Sequence, residues 1–134
     1  MGKNQGRSTK DPPRRILIAD HERSTSIPLQ FLMEQNGFKV KAAQSGKEVI
    51  RVITKFKPDL VLLEAMIPDP DGFEVCQLIR QDPKFKKVRI VFVSSMARDL
   101  DIAKGLALGA DVYITKPFSN SDILDKVRKL LEEA

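Results

Sequence analysis

Short runs rich in Ile, Leu and Val recur along this chain, each closed by a polar residue and followed by a segment whose apolar positions keep helical spacing. Arg15-Ile-Leu-Ile-Ala19 predicts a first strand, ending at Asp20-His21-Glu22. From Ser24 to Asn36, Ile27, Phe31, Leu32 and Met33 predict a helix that Gly37 stops in the left-handed region, with Pro28 within its first turns. Phe38 to Ala42 alternates and predicts a half-exposed second strand. Ser45-Gly-Lys-Glu48 reads as a capping box opening a helix through Phe56, which Lys57-Pro58 ends. Asp59-Leu-Val-Leu-Leu-Glu64 is apolar on both parities, as in a strand buried on two faces. Gly72 to Arg80 sets Phe73, Val75, Cys76 and Ile79 on one helical face before Asp82-Pro83 breaks it. Arg89 to Val93, followed by Ser94-Ser95, predicts a fourth strand, and Asp111 to Thr115 a fifth, with a helix over about Asp99 to Leu108 between them. Ser119 and Asp122 cap a last amphipathic helix built on Ile123, Leu124, Val127, Leu130 and Leu131.

Five strands alternating with five helices through short loops predict a doubly wound parallel sheet. All strands then point one way, so the residues at their C-terminal ends meet in a single crevice, where such sheets bind ligands. Asp20, Glu64, Ser94 and Lys116 close four of the strands. Two carboxylates, a hydroxyl and an ammonium would share that crevice, a set suited to phosphoryl chemistry.

Composition narrows the class. A chain of 134 residues, 42% of them apolar, supports one core rather than two, and the division expected is a basic tail or leader over residues 1–14 and a globular domain over 15–134. The lone Cys76 has no internal disulfide partner, the first fifteen residues contain no apolar signal core, and no run reaches membrane-spanning length. A cytoplasmic protein without membrane contact is expected. Lys3, Arg7, Lys10, Arg14 and Arg15 against Asp11 place +4 of the net +5 within residues 1–15, leaving the folded body near neutral at +1. Nucleic-acid binding is therefore not expected of the domain, and DNA binding by the tail ranks as a weak third hypothesis.

These segments resemble the receiver domain of two-component response regulators over about residues 15–133. The resemblance is carried by Ile16-Leu-Ile-Ala-Asp20-His21-Glu22, by Pro58-Asp-Leu-Val-Leu-Leu-Glu64-Ala-Met-Ile-Pro68-Asp-Pro-Asp-Gly72, by Val93-Ser94-Ser95, and by Gly109-Ala-Asp-Val-Tyr113-Ile-Thr-Lys116-Pro117-Phe118. It implies a flavodoxin-like (βα)5 three-layer sandwich with strand order 2-1-3-4-5. In that family an aspartate at the position of Glu64 attacks a phosphohistidine, and two acidic residues after the first strand help hold magnesium. Asp20, Ser94 and Lys116 match; Glu64 and His21 depart.

Both departures weaken the chemistry. One added methylene moves a carboxylate oxygen by roughly 1 Å, and a misplacement of that size costs on the order of 100-fold in rate. Exchanging a carboxylate for imidazole weakens a magnesium site, which prefers hard oxygen ligands. The expectation is a degenerate, or pseudo-, receiver that is no enzyme, needs no cofactor and keeps Asp20, His21, Glu64 and Met66 as a vestigial metal set. It would act through a signalling partner, a histidine kinase or an output domain. The resemblance implies docking on the face of the fourth helix, fifth strand and fifth helix, including Arg98, Asp99, Lys104, Tyr113, Lys126 and Lys129, with Ser94 and Tyr113 as the switch. The competing hypothesis is an active phosphorelay receiver with a magnesium-dependent phosphoacceptor and self-dephosphorylation.

Single residues carry alternatives too. Glu64 is either an inert filler, ranked first, or a mimic whose carboxylate reaches toward Lys116 or Ser94. His21 as a partly exposed histidine bonded to a carboxylate ranks ahead of a zinc or manganese site with Asp20 and Glu64, or a pH switch. Ser94 and Lys116-Pro117 could serve as ordinary turn residues, and the X-Pro bond permits a cis isomer. Tyr113 could be an edge aromatic with its hydroxyl in water. Asp59 is expected at the far end of its strand, and Asp69 and Asp71 in a turn.

Overall fold

The computed structural model describes residues 11–132. Strands β1 (Arg15–Ala19), β2 (Lys39–Ala43), β3 (Leu60–Leu63), β4 (Arg89–Ser94) and β5 (Val112–Thr115) alternate with helices α1 (Arg23–Gln35), α2 (Gly46–Phe56), α3 (Gly72–Gln81), α4 (Asp99–Ala107) and α5 (Asn120–Glu132). Residues 1–10 of the expected basic tail, and residues 133–134, lie outside the described residues. One short 3-10 turn, Pro83–Phe85, was not predicted; Asp82 starts it by accepting the Lys84 N–H at 3.0 Å.

All strand pairs are parallel, in the order β2-β1-β3-β4-β5, so the flavodoxin-like expectation holds. Strand parity divides the core. Leu17, Ala19, Val61, Leu63, Ile90 and Phe92 face α2 and α3, meeting Val49, Ile53, Phe73, Val75, Cys76 and Ile79. Ile16, Ile18, Leu60, Leu62, Val91 and Val93 face α1 and α5, meeting Leu29, Met33, Ile123, Val127 and Leu131. Burial on both parities is why these strands read as unbroken apolar runs. Cys76 is fully buried, and loss of hydration pushes its thiol up to about 11.

Local chemistry explains the boundaries. Ser45 Oγ accepts the Glu48 N–H at 3.1 Å, while Glu48 Oε1 takes the N–H of Gln44 at 2.8 Å, one residue earlier than the predicted capping box requires. Gly37 has φ +90° and ends the α1 turn as expected; Lys57, with φ +53°, ends α2. Strand β2 runs one residue later than predicted because its pairing with β1 carries Ala43 opposite Ala19. Asp59 flanks β3 at the far end, where its Oδ2 accepts the Arg15 N–H at 2.7 Å.

At that same far rim, Asp111 ties three segments together. Its Oδ2 accepts from Arg80 Nη2 at 3.1 Å and from the Ile90 N–H at 2.8 Å, and its Oδ1 lies 3.3 Å from Arg89 Nη1. Arg80 also donates to the carbonyls of Gly109 at 2.8 Å and Val88 at 2.7 Å.

Candidate functional site

Parallel pairing brings the strand ends level. Ala19 pairs with Leu63 and the Glu64 N–H donates to the Ala19 carbonyl at 2.9 Å, so Asp20 and Glu64 leave adjacent strands side by side. Ser94 pairs with Thr115, and the Lys116 N–H donates to the Ser94 carbonyl at 2.9 Å. The four candidates drawn from distant parts of the chain therefore share one rim. The Lys116–Pro117 bond is cis, as is Asp69–Pro70.

Lys116 is the hub. Its Nζ lies 3.0 Å from Asp20 Oδ2, 3.0 Å from Glu22 Oε1 and 2.9 Å from Glu64 Oε1. Its side chain is only 13% exposed, and those of Asp20 and Glu64 are 4% and 2% exposed. Burial alone would favour the neutral amine, but the hydrogen bonds it donates to Glu64, Glu22 and Asp20 outweigh it and hold the ammonium well above the ordinary lysine range. The same hydrogen bond to Lys116 holds the Glu22 carboxyl below its usual range.

Glu64 is satisfied at both oxygens. Its Oε1 meets Lys116; its Oε2 accepts from the Ser94 hydroxyl and, at 3.0 Å, from the Met66 N–H. A Cβ on Gly72 would stand 2.3 Å from the Glu64 carbonyl oxygen, so the loop after β3 packs directly against the strand end only because residue 72 has no side chain. Met66, half-exposed, thus enters the site through its backbone.

His21 lies outside the cluster of carboxylates. It is exposed, with Nδ1 3.9 Å from Asp20 Oδ1, too far for a hydrogen bond. The third acidic place belongs to Glu22, whose N–H donates to Asp20 Oδ1 at 2.8 Å and whose carboxylate turns to Lys116. The sequence alone marks Glu22 only by its two-residue offset from Asp20. One oxygen from each of Asp20, Glu22 and Glu64 lies within 4.8 Å of the others. The Lys116 ammonium stands at hydrogen-bond distance from an oxygen of each of the three.

From Glu64 a hydrogen-bonded path leads to Tyr113. Ser94 Oγ donates to Glu64 and accepts the Met96 N–H at 3.1 Å; the Met96 carbonyl accepts the Tyr113 hydroxyl at 2.5 Å. The half-buried Tyr113 ring stacks on Phe92 at 5.3 Å, and burial raises the pKa of its hydroxyl. Gly105 of α4 makes room: a Cβ there would stand 2.9 Å from Tyr113 Cδ2 and 3.0 Å from Phe92 Cδ2. The Tyr113 hydroxyl is thus bonded to protein and not left to water.

The remaining candidates separate. Asp71 caps α3 by accepting the Glu74 N–H at 2.9 Å, and Asp69 lies 3.7 Å from Lys47. On the α4–β5–α5 face, Tyr113, Phe118, Asp122 and Lys126 help line a shallow groove of about 330 Å³. Lys126 pairs with Asp122 at 2.6 Å, Arg98 pairs with Asp101 at 2.9 Å, and the Lys104 ammonium lies 4.5 Å over the Phe73 ring on the α3 side.

A sequence profile of the response regulator receiver domain matches residues 16–128. The chain is similar to the alkaline phosphatase synthesis transcriptional regulatory protein PhoP of Bacillus subtilis (strain 168), at 36% identity over 121 residues that cover 90% of this chain and 50% of that protein. It therefore spans about half the length of that curated relative. Among solved structures it is similar to a CheY-like response regulator receiver domain protein from Methanospirillum hungatei JF-1, with 26% identity, TM-score 0.85, and 90% of this chain and 95% of that one covered. It is also similar to the BeF3-activated N-terminal receiver domain of Klebsiella pneumoniae RstA, with 26% identity, TM-score 0.83, and coverage of 88% and 98%.

Proposed function

Because this chain belongs to the response regulator receiver domain family of two-component signalling, we propose that it is a phosphorylation-independent member, held in a switched-on arrangement by Glu64 and acting by binding a protein partner. One observation carries this reading: the Glu64 carboxylate takes up Lys116, the Ser94 hydroxyl and the Met66 N–H at once. These are donors that would otherwise meet an incoming phosphoryl group. An inert filler, the reading ranked first on sequence alone, has no need to engage the switch hydroxyl or to connect through Met96 to Tyr113. A carboxylate has one charge and two oxygens where a phosphoryl group has up to two charges and three, so the mimicry is partial.

The same contacts make Glu64 a poor nucleophile, three of its roughly four lone-pair sites being taken by donors. Lys116 supplies the positive charge, so neither magnesium nor catalytic turnover enters the mechanism. The partner, a histidine kinase or an output domain, docks on the α4–β5–α5 face, whose shape depends on where Tyr113 lies.

Tyr113 reports this directly, because the chain has one tyrosine and no tryptophan. Iodide quenching of its fluorescence should be weak in the unaltered chain and several-fold stronger in Glu64→Ala; equal quenching in both removes the mimicry. Separately, incubation with magnesium and acetyl phosphate followed by intact mass measurement should leave the mass unchanged. A stoichiometric phosphate adduct establishes the phosphoacceptor alternative instead. Glu64→Asp should recover some labelling, and His21→Asp added to it should recover more.

A further inference from the structure

The net +1 of the folded body conceals a separation of charge by rim. At the N-terminal ends of the strands, the Lys39 N–H donates to the Arg14 carbonyl, the Asp59 N–H to that of Arg15, and the Arg89 N–H to that of Asp59. This row of backbone bonds sets adjacent strand starts side by side and gathers the residues around them. Lys39, Lys55, Lys57, Lys84, Lys86 and Lys87 flank it, all exposed, and none has an ion-pair partner among the described residues. Three acids of the same rim have partners of their own, while Glu34 and Glu132 lie at the ends of α1 and α5. Asp59 holds the Arg15 N–H, Asp82 the Lys84 N–H, and Asp111 the guanidinium groups of Arg80 and Arg89.

A bland account is available for two of the six. Lys55 and Lys57 lie at the C-terminal end of α2, where a cation offsets the helix dipole. Lys39, Lys86 and Lys87 belong to no α-helix, and Lys84 sits in a three-residue turn. No comparable term explains them.

The surface also lacks what a protein interface uses. The large exposed apolar side chains lie on α1, α2, α3, α4 and in the loop after β3, and none is among these lysines. An interface between proteins centres on such residues, whereas a phosphate backbone needs only cations. The six are lysines, point charges that meet a phosphate without the bidentate fork that reads a base edge.

We propose that the lysine rim at the N-terminal ends of the strands binds the phosphate backbone of a nucleic acid without regard to its sequence. The opposite rim, with Glu64, takes no part, so this proposal stands or falls separately from the switch. The test is fluorescence anisotropy of the full chain with a labelled duplex of about 20 base pairs, against salt. Binding at 50 mM salt should weaken on the order of 1,000-fold by 200 mM if about six phosphates are neutralised, and a second duplex of unrelated sequence should bind alike. Lys86→Gln with Lys87→Gln should weaken binding roughly tenfold and lower the salt slope by about two. Arg23→Gln with Lys47→Gln removes the same charge at the other rim and should change little. Four outcomes overturn the proposal: no binding at 50 mM salt, equal weakening by the two double variants, unchanged binding by the Lys86/Lys87 variant, or poly-glutamate competing as well as DNA. Circular dichroism of each variant confirms that these exposed changes leave the fold intact.

Discussion

Two ionic clusters occupy opposite rims of the same sheet, and they are built inside out from one another. At the C-terminal rim one ammonium, Lys116, serves three carboxylates; at the N-terminal rim one carboxylate, Asp111, serves two guanidinium groups. Asp111 also accepts a backbone N–H, and Arg80 holds two carbonyls, so that cluster is braced by contacts that do not depend on charge. Lys116 itself donates only to carboxylates, while Asp20 and Glu64 each accept a backbone N–H as well. Its cluster adjoins the path from Glu64 to Tyr113, so a change there alters the shape of the switch, whereas a change at Asp111 alters only stability.

The largest effect expected is from Lys116→Met, which leaves Asp20 and Glu64 buried without their cation and should cost about 3 kcal/mol in urea unfolding. Glu64→Gln added to it should return part of that loss. A cost below about 0.5 kcal/mol would equate the hub with an exposed surface pair and end the contrast between the rims. Asp111→Asn comes next, losing charge but keeping shape, at about 2 kcal/mol. Iodide quenching of Tyr113 should not change in that variant; if it does, the two rims are coupled. Gly105→Ala sets a methyl 2.9 Å from the Tyr113 ring and 3.0 Å from Phe92, which should cost about 1–2 kcal/mol and, unlike Asp111→Asn, increase Tyr113 quenching.

The smallest effect is in pH. The Glu22 carboxyl titrates below its ordinary value of 4.5 in the fold, so its contribution is complete above that value and is lost as pH falls through the lowered one. Lys116 titrates above its ordinary 10.5, so its contribution is complete below that value and is lost only as pH rises through the raised one. The stability difference between the unaltered chain and Glu22→Gln should therefore be about 0.5 kcal/mol and flat across neutral pH, narrowing below pH 4.5. A difference that grows in acid would mean that Glu22 does not answer to Lys116.

Much of the fold was legible because both periodicities were clean. Leu60 to Leu63 read as a strand buried on two faces, and Ser45 announced the helix it caps, whereas Asp71, expected only in a turn, caps α3. The convergence of Asp20, Glu64, Ser94 and Lys116 followed from parallel topology alone. What lay beyond the sequence was reach. Glu22 and His21 are neighbours in the chain, yet which of them turns to Lys116 depends on the rotation of the first turn after β1. Gly105 reads as an ordinary weak position in a helix, and its value comes from a ring eight residues later. The lysine rim was hidden by summation, since a net charge carries no position.

Cys76 bears on how such motions can be watched. As the chain's one cysteine, walled in by the core and with a thiol near 11, it exposes roughly one part in ten thousand as thiolate at neutral pH. A thiol introduced at Leu100, 76% exposed on α4, would be the sole site open to a spin label or dye. The native protein is thus ready for single-site spectroscopy without first removing a residue from its interior.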